Sequence, residues 1–323
     1  MIISRTPFRI SFAGGGTDLP DYYREAGGCV TSSAIDKYMF ITVHPPFDER
    51  IRLKYSQTEL VEDVDAVEHP IIREALKLTG IKGRIEISAA ADIPEQAGLG
   101  SSSSFAVGLL HALHAFKGEQ VNAETLAREA CEIELERLGD PIGKQDQYIA
   151  AYGGLQHIAF NPDDTVSVDP VIMPGARRAE FERHLMLFHC GGARSARDLL
   201  KTQRANIPSR MKQLGRLGEL ARQLREVLAR DGDLLLAGEI LHEGWCLKRT
   251  LSDAITTLDI DAWYEKAREA GALGGKLLGA GGGGFLLLFV APGKQEAVEK
   301  ALSELRLVPI GLEREGSKIV YYA

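Results

Sequence analysis

Glycine constrains this chain more than any other residue. There are 34 glycines among 323 residues, about a tenth where an average near 7% is usual. The excess is concentrated in three clusters, at Gly14-Gly15-Gly16, Gly98-Leu99-Gly100 and Gly279-Ala280-Gly281-Gly282-Gly283-Gly284, each bordering a strand-like run. Residues without a Cβ let backbone come close to a ligand, so function is to be sought at these clusters.

Around them, apolar spacing predicts strands over 2–13, 38–44, 51–55 and 84–91, and helices over 70–79 and 101–116, the latter opened by capping serines. A helix over 122–138 is stopped by Gly139-Asp140-Pro141, a short helix covers 145–151, and hairpin strands cover 154–160 and 165–168. Beyond Pro174 come a strand at 184–189 and a long helical stretch that Pro208 divides in two. A helix at 260–270, a glycine-rich hairpin at 274–290, a helix at 294–305 and two closing strands complete the chain. Strands and helices alternating without βαβ regularity predict an α+β fold, divided into domains 1–180 and 181–323.

Hydrophobic residues make up 45% and charged residues 26%, the balance of a soluble globular protein. The longest apolar run, Phe285 to Ala291, is far below the roughly 20 residues of a membrane span, and no leader pattern opens the sequence, so a cytoplasmic protein is expected. The net charge of −7 repels polyanions, which argues against nucleic-acid binding. Cys29, Cys131, Cys190 and Cys246 form no C-x-x-C pair and are expected to be buried thiols. Homo-oligomerisation stays open.

The segment Pro94 to Ser104 leaves a strand through glycines and enters a helix. Unpaired N–H groups and the helix dipole there suit a phosphate, and the serine hydroxyls suit phosphate or Mg²⁺. No Lys precedes the serines, which excludes a Walker A loop, and a capped helix with a flexible lead-in is the plain alternative. Gly279 to Gly284 contains G-x-G-x-x-G, yet a strand-like run follows where a dinucleotide site needs a helix. A tight loop is the better reading, with Gly281 and Gly282 beside a ligand held elsewhere, and a hairpin turn is its alternative. In the first cluster, Thr17-Asp18 follows the bare turn of Gly15 and Gly16. A carboxylate there can grip two sugar hydroxyls, or the pair can equally cap the next turn.

Together the strings PFRISFAGGGTDLPDYY, PEQAGLGSSSS, GKQDQYIAAYGG and GALGGKLLGAGGGGFLLLF, in this order, resemble the motifs of the GHMP kinases. Within that superfamily they are most similar to the branch that phosphorylates D-glycero-D-manno-heptose 7-phosphate at the anomeric hydroxyl. The resemblance implies a two-domain fold with the active site between the domains, ATP and Mg²⁺ as cofactors, and a sugar phosphate as partner. It implies that Gly98, Leu99, Gly100, Ser101, Ser102, Ser103 and Ser104 wrap the ATP phosphates and that Ser102 and Glu134 hold Mg²⁺. Glu132 and Glu136 would point to other helix faces. Asp146 would be the base, with Arg9 or Lys144 as its adjacent cation and Arg9 also offsetting phosphoryl charge. Galactokinases carry Glu-His where Gly15-Gly16 stand, so a longer sugar has room here. Its distal phosphate would meet cations in the stretch from Arg194 to Arg230, where ten Lys or Arg face three Asp or Glu. Arg194 and Ser195, at a strand-to-helix turn, are the expected contacts. Another sugar 1-kinase and a catalytically silent sugar or nucleotide sensor are the rival readings. His111 and His114 lack a third ligand, Trp245 and Lys248 lie one helical turn apart and could frame the sugar, with core packing the alternative for Trp245, and Asp253 and Asp259 read as turn or cap residues.

Overall fold

The computed structural model describes every residue except 95, 96, 193–195 and 253, and every side chain except also 196–198 and 203. Among the described residues the strands form two sheets. The larger contains β1 (Ile2–Ala13), β2 (Gly28–His44), β3 (Ile51–Lys54), β4 (Thr58–Val61), β5 (Ile85–Ala91), β6 (Leu155–Phe160) and β7 (Val166–Pro170). The smaller contains β8 (Leu185–Gly191), β9 (Ala272–Leu277), β10 (Gly284–Val290) and β11 (Arg306–Val308). The last strand, β12 (Lys318–Tyr322), returns to the larger sheet and pairs with β1. Among the described residues only β3 and β5 pair in parallel.

Helices α1 (Pro20–Ala26), α2 (Pro70–Thr79), α3 (Ser101–Phe116), α4 (Ala123–Cys131), α5 (Gln145–Tyr152) and α6 (Gly175–Arg183) accompany the first sheet along the chain. Then follow α7 (Ala196–Ala229), α8 (Leu236–Arg249), α9 (Leu258–Ala270) and α10 (Gln295–Ala301). Phe181 on α6 joins the two cores, with its ring 5.4 Å from Phe12 of β1 and 5.8 Å from Phe289 of β10. No described helix is long and apolar enough to cross a membrane.

Four expectations are corrected. Strand β2 begins at Gly28, ten residues before the expected Tyr38, because Cys29 to Ala34 are small residues buried against β1 and β6 rather than an alternating pattern. Pro208 does not divide its helix. Although it removes one backbone donor, α7 stays helical through it and buries Ile207, Leu214, Leu217, Leu224 and Leu228. The helix expected over 122–138 does start at a side-chain cap, Asn122, which accepts from Thr125 N at 2.8 Å. It ends, however, in a π-helical turn over Glu132–Arg137. Lastly, Cys246 is exposed and Cys190 half-buried, so only Cys29 and Cys131 are the buried thiols expected of all four.

Helices α3 and α4 are pinned by His114, whose Nε2 and Nδ1 each lie 2.7 Å from a carboxylate oxygen, of Glu129 and Glu119. The Glu129 hydrogen bond, opposed by burial, raises the imidazole above its usual pKa of 6.5. A raised folded-state pKa stabilises fully below the unfolded value and is lost as pH rises through the folded one. His114→Gln is therefore expected to cost on the order of 1 kcal/mol at pH 6 and clearly less at pH 9, read by thermal melts at the two pH values.

Candidate active site

A cleft of about 970 Å³ opens where the end of β1, the loop into α3, the start of α5 and the β9–β10 loop meet. Two glycine loops form its floor by backbone contact. A Cβ on Gly98 would lie 2.5 Å from the Leu278 carbonyl oxygen, and one on Gly279 would lie 2.5 Å from the Gly98 Cα. Both residues also have φ near +75°, where side chains are strained. The two clusters legible as separate motifs are thus one backbone-to-backbone seam.

Arg9 is 5% exposed on β1. Its Nε donates to Asp146 Oδ1 at 2.7 Å, its Nη2 to Oδ2 at 2.5 Å and its Nη1 to the Gly98 carbonyl at 2.6 Å. One planar guanidinium fixes both the carboxylate and the loop, the two-pronged geometry that arginine suits. Asp146 stands in the first turn of α5 and faces the cleft. Beside it, Asp18 accepts from Gly16 N at 2.9 Å and from Gln145 Nε2 at 3.1 Å. Burial raises the Asp18 carboxyl above the usual range, against the pull of the Gly16 N–H. Gly143 is packed so closely that a Cβ would lie 2.0 Å from Asp18 Oδ2.

The serines lie inside α3 rather than capping it. Gly100, at φ 78°, is the boundary residue and makes no side-chain cap. Gly98, Gly100, Ser101 and Ser102 line the cleft. Ser103 Oγ donates to Glu134 Oε2 at 2.8 Å, Ser104 Oγ to the Pro7 carbonyl at 2.8 Å, and Leu99 is buried in the core.

Glu134 sits in the π-helical turn and is 1% exposed. Gln147 Nε2 donates to its Oε2 at 2.6 Å, while its buried Oε1 has no hydrogen-bond partner. Burial pushes this carboxyl up to about 7 against the pull of the neighbouring Ser103, Ser102 and Gln147 donors. An orphaned carboxylate oxygen beside serine hydroxyls is an all-oxygen donor set that fits Mg²⁺. Glu132 instead pairs with Arg137 at 2.6 Å, and Glu136 is exposed.

Other expected residues go elsewhere. Lys144 is turned away, its Nζ 3.3 Å from Asp164 Oδ1 and over the Tyr23 ring, so the cation beside Asp146 is Arg9. The Thr17 hydroxyl is buried, donating to the Gly14 carbonyl at 2.8 Å and accepting from Cys29 N at 3.0 Å. Gly15, Gly16 and Gly281 line the cleft, whereas Gly282 N donates to the Ile255 carbonyl at 3.0 Å. Arg194, Ser195 and Asp253 lie outside the described residues. Gly192 and Leu200, on either side of the first two, line the cleft. Trp245 is fully buried, and Thr257 caps α9, with Asp259 in its first turn. Among the described residues no cluster of His, Cys, Asp or Glu forms a metal site of three ligands.

One feature was read only in part and another not at all. Lys248 and Lys276 line the cleft as buried lysines. Met39, Tyr55, His69, Ile71, Ile93 and Phe105 make one end of it apolar, with the His69 and Phe105 rings stacked at 4.9 Å. Trp245 to Lys248 spacing hinted at the first; the second draws on β2, β3, α2 and α3 and leaves no local signal.

The GHMP kinases N terminal domain matches residues 64–154, and the GHMP kinases C terminal matches residues 211–306. The chain is 28% identical over 315 residues to the D-glycero-alpha-D-manno-heptose 7-phosphate kinase of Campylobacter jejuni, covering 93% of each. To a galactokinase of Pyrococcus furiosus it is 25% identical over 342 residues, covering 93% of this chain and 92% of that one. The crystal structure of a D-glycero-D-manno-heptose 1-phosphate kinase from Bacteroides thetaiotaomicron superposes with a TM-score of 0.83 at 25% identity, over 100% of both chains.

Gly143→Ala is expected to lower the melting temperature, because its Cβ would collide with the Asp18 carboxylate. In an Asp18→Ala background part of that loss should vanish, a coupling of about 0.5–3 kcal/mol in a double-mutant cycle for residues in contact. Equal losses in both backgrounds would mean that Asp18 is not the obstacle.

Proposed function

Since this chain belongs to the GHMP kinases and is an ATP-dependent sugar kinase, we propose that it phosphorylates the anomeric hydroxyl of D-glycero-D-manno-heptose 7-phosphate, giving the 1,7-bisphosphate for nucleotide-heptose synthesis. The observation that carries this reading is the Arg9 contact set. One side chain touches both the loop at Gly98 and the Asp146 carboxylate, next to Asp18 and the bare turn of Gly15 and Gly16.

In this reading Asp18 and the Gly15–Gly16 backbone orient the sugar, and Asp146 accepts the proton of the hydroxyl that attacks. Arg9 holds that carboxylate in place and offsets charge on the phosphoryl group. The backbone N–H groups from Gly98 to Ser102 cradle the nucleotide phosphates, and the apolar end at His69 and Phe105 takes the base. Ser102 and Glu134 would hold Mg²⁺, which when bound neutralises phosphate charge. Gly15 and Gly16 place no side chain in the cleft, and this room suits a seven-carbon sugar. Arg194 and Ser195 would take its distal phosphate, with Gly281 closing over the substrate. Residues 1–180 and 181–323 are the corresponding domains. A kinase for another sugar, such as fucose or galactose, is the second reading, favoured by the 25% identity to a galactokinase.

A coupled ATPase screen of free sugars beside their terminal phosphates tests the substrate. Heptose 7-phosphate should give the highest kcat/KM, and a preference for unphosphorylated sugar would sink the assignment. Arg194→Ala should weaken the phosphorylated heptose about ten- to hundredfold, the loss of one charge-assisted bond, and spare free heptose. Asp146→Asn should lower kcat by roughly 10² to 10⁴ with nucleotide affinity retained, and near-full activity would remove it from the mechanism. Glu134→Gln should raise the Mg²⁺ concentration for half-maximal rate, whereas Glu132→Gln and Glu136→Gln should not.

A further inference from the structure

We infer that Lys248 and Lys276 form a buried cation pair on the wall of the cleft opposite Arg9, and that the group they bind is the phosphoryl in transit between nucleotide and sugar. The inference rests on the kinase reading above.

The two lysines come from different elements, Lys248 from the last turn of α8 and Lys276 from β9. Helix α8 lies directly on β9, since a Cβ on Gly274 would lie 1.9 Å from the Gly238 carbonyl oxygen. The side chains are 8% and 6% exposed, and both line the cleft. Among the described residues each ammonium meets a neutral partner. Lys248 Nζ donates to the Gly279 carbonyl at 2.6 Å, and Lys276 Nζ lies 3.4 Å from the Phe12 carbonyl. An ammonium has three N–H donors, so most of this capacity is unspent. Neither lysine has an ion-pair partner among the described residues. The nearby carboxylates are engaged elsewhere, Asp146 by Arg9 and Asp18 by Gly16 N and Gln145.

Burying one unpaired cation costs several kcal/mol, and burying two side by side costs more. Burial first, and then the charge of Arg9, pull Lys248 down to about 8. Burial first, and then Lys248 itself, pull Lys276 well below the lysine range. The negative end of α8 offsets only part of this. A protein that keeps two such groups facing a cleft keeps them for an anion, and the position selects which one. Lys248 is anchored on Gly279, the residue seated against Gly98, while Arg9 grips the Gly98 carbonyl and Asp146. Lys248 and Arg9 therefore flank the same point of the phosphate loop beside the proposed base. The bare turn at Gly16, where a longer sugar would extend, faces Leu214 of α7 instead.

In the transfer, Asp146 takes the hydroxyl proton, the sugar oxygen bonds to phosphorus, and the bond from phosphorus to the bridging oxygen breaks to release ADP. Lys248 and Lys276 exchange no proton with the reacting oxygens; a bound phosphoryl favours their charged form against burial, and that charge is worth more in a water-poor site than in solution.

Lys248→Met and Lys276→Met keep the stem and remove the charge. With MgATP and the sugar that the wild type turns over best, kcat should fall about 10²-fold or more for Lys248→Met, and also fall for Lys276→Met. The dissociation constant for a fluorescent MgATP analogue should stay within about threefold, and the sugar KM should change little. Binding of MgADP with aluminium fluoride, which mimics the phosphoryl in flight, should weaken in step with kcat, and Lys248→Arg should recover part of both. A kcat within threefold of wild type would overturn the inference. So would a loss of MgATP affinity equal to the loss of kcat, which would give the lysines to the resting nucleotide, or a loss confined to phosphorylated sugars. If Lys248→Met fails to fold, Lys276→Met and Lys248→Arg make the same comparison. A wild type without sugar-dependent ATP turnover would instead sink the kinase reading, while the aluminium fluoride arm still tests the lysines.

Discussion

Everything in the cleft is referenced to the Arg9 guanidinium. Among the described residues it hydrogen-bonds both the Gly98 carbonyl and the Asp146 carboxylate, and it does so from β1, where Arg9 pairs with Ala34 of β2 and its backbone N–H donates to the Leu99 carbonyl at 3.0 Å. A guanidinium remains charged under all ordinary conditions, so the Arg9 side of both contacts does not titrate. The distance between loop and carboxylate is therefore set by the reach of one planar group seated in a sheet. Phosphoryl transfer relies on positioning and charge compensation more than on covalent chemistry, and such a site needs a rigid reference more than a reactive one.

The cost of the arrangement is visible around it. Asp18, Glu134, Lys248 and Lys276 are buried ionisable groups displaced from their ordinary ranges mainly by burial. Displaced groups of this kind cluster at sites of function. Stabilising the empty protein would be straightforward by making these positions neutral, and each such change would remove charge from the cleft. The structure trades stability for charge where the proposed chemistry occurs.

Much of this was legible in the sequence because it is local. The cap at Asn122, the start of α3 at Ser101 and the glycine loops are written in adjacent residues. Glu134 was separable from Glu132 and Glu136 by helical phase alone, although the π-helical turn that carries it left no mark in the spacing. What failed to show was assembled across the chain. The buried half of β2 was invisible because its residues are small and polar, and their burial depends on neighbours more than a hundred residues away in β6. Lys144 and Arg9 were equal candidates to accompany Asp146, since composition gives charge but not direction. Pro208 promised a break that the apolar face of α7 overrode, because tertiary packing outweighs one missing hydrogen bond.

The return of β12 to β1 has a mechanical consequence. Because the chain leaves the large sheet after β7 and re-enters it at β12, the part carrying β8 to β11 is tethered at both ends. A body held at one point can swing and twist, and a second attachment removes much of that freedom. Helix α7 adds side-chain bonds to the large sheet, Thr31 Oγ1 donating to the Ala221 carbonyl at 2.8 Å and Cys29 Sγ lying 3.3 Å from the Gly218 carbonyl, so the Gly279 loop and Lys248 are held in one register against Gly98.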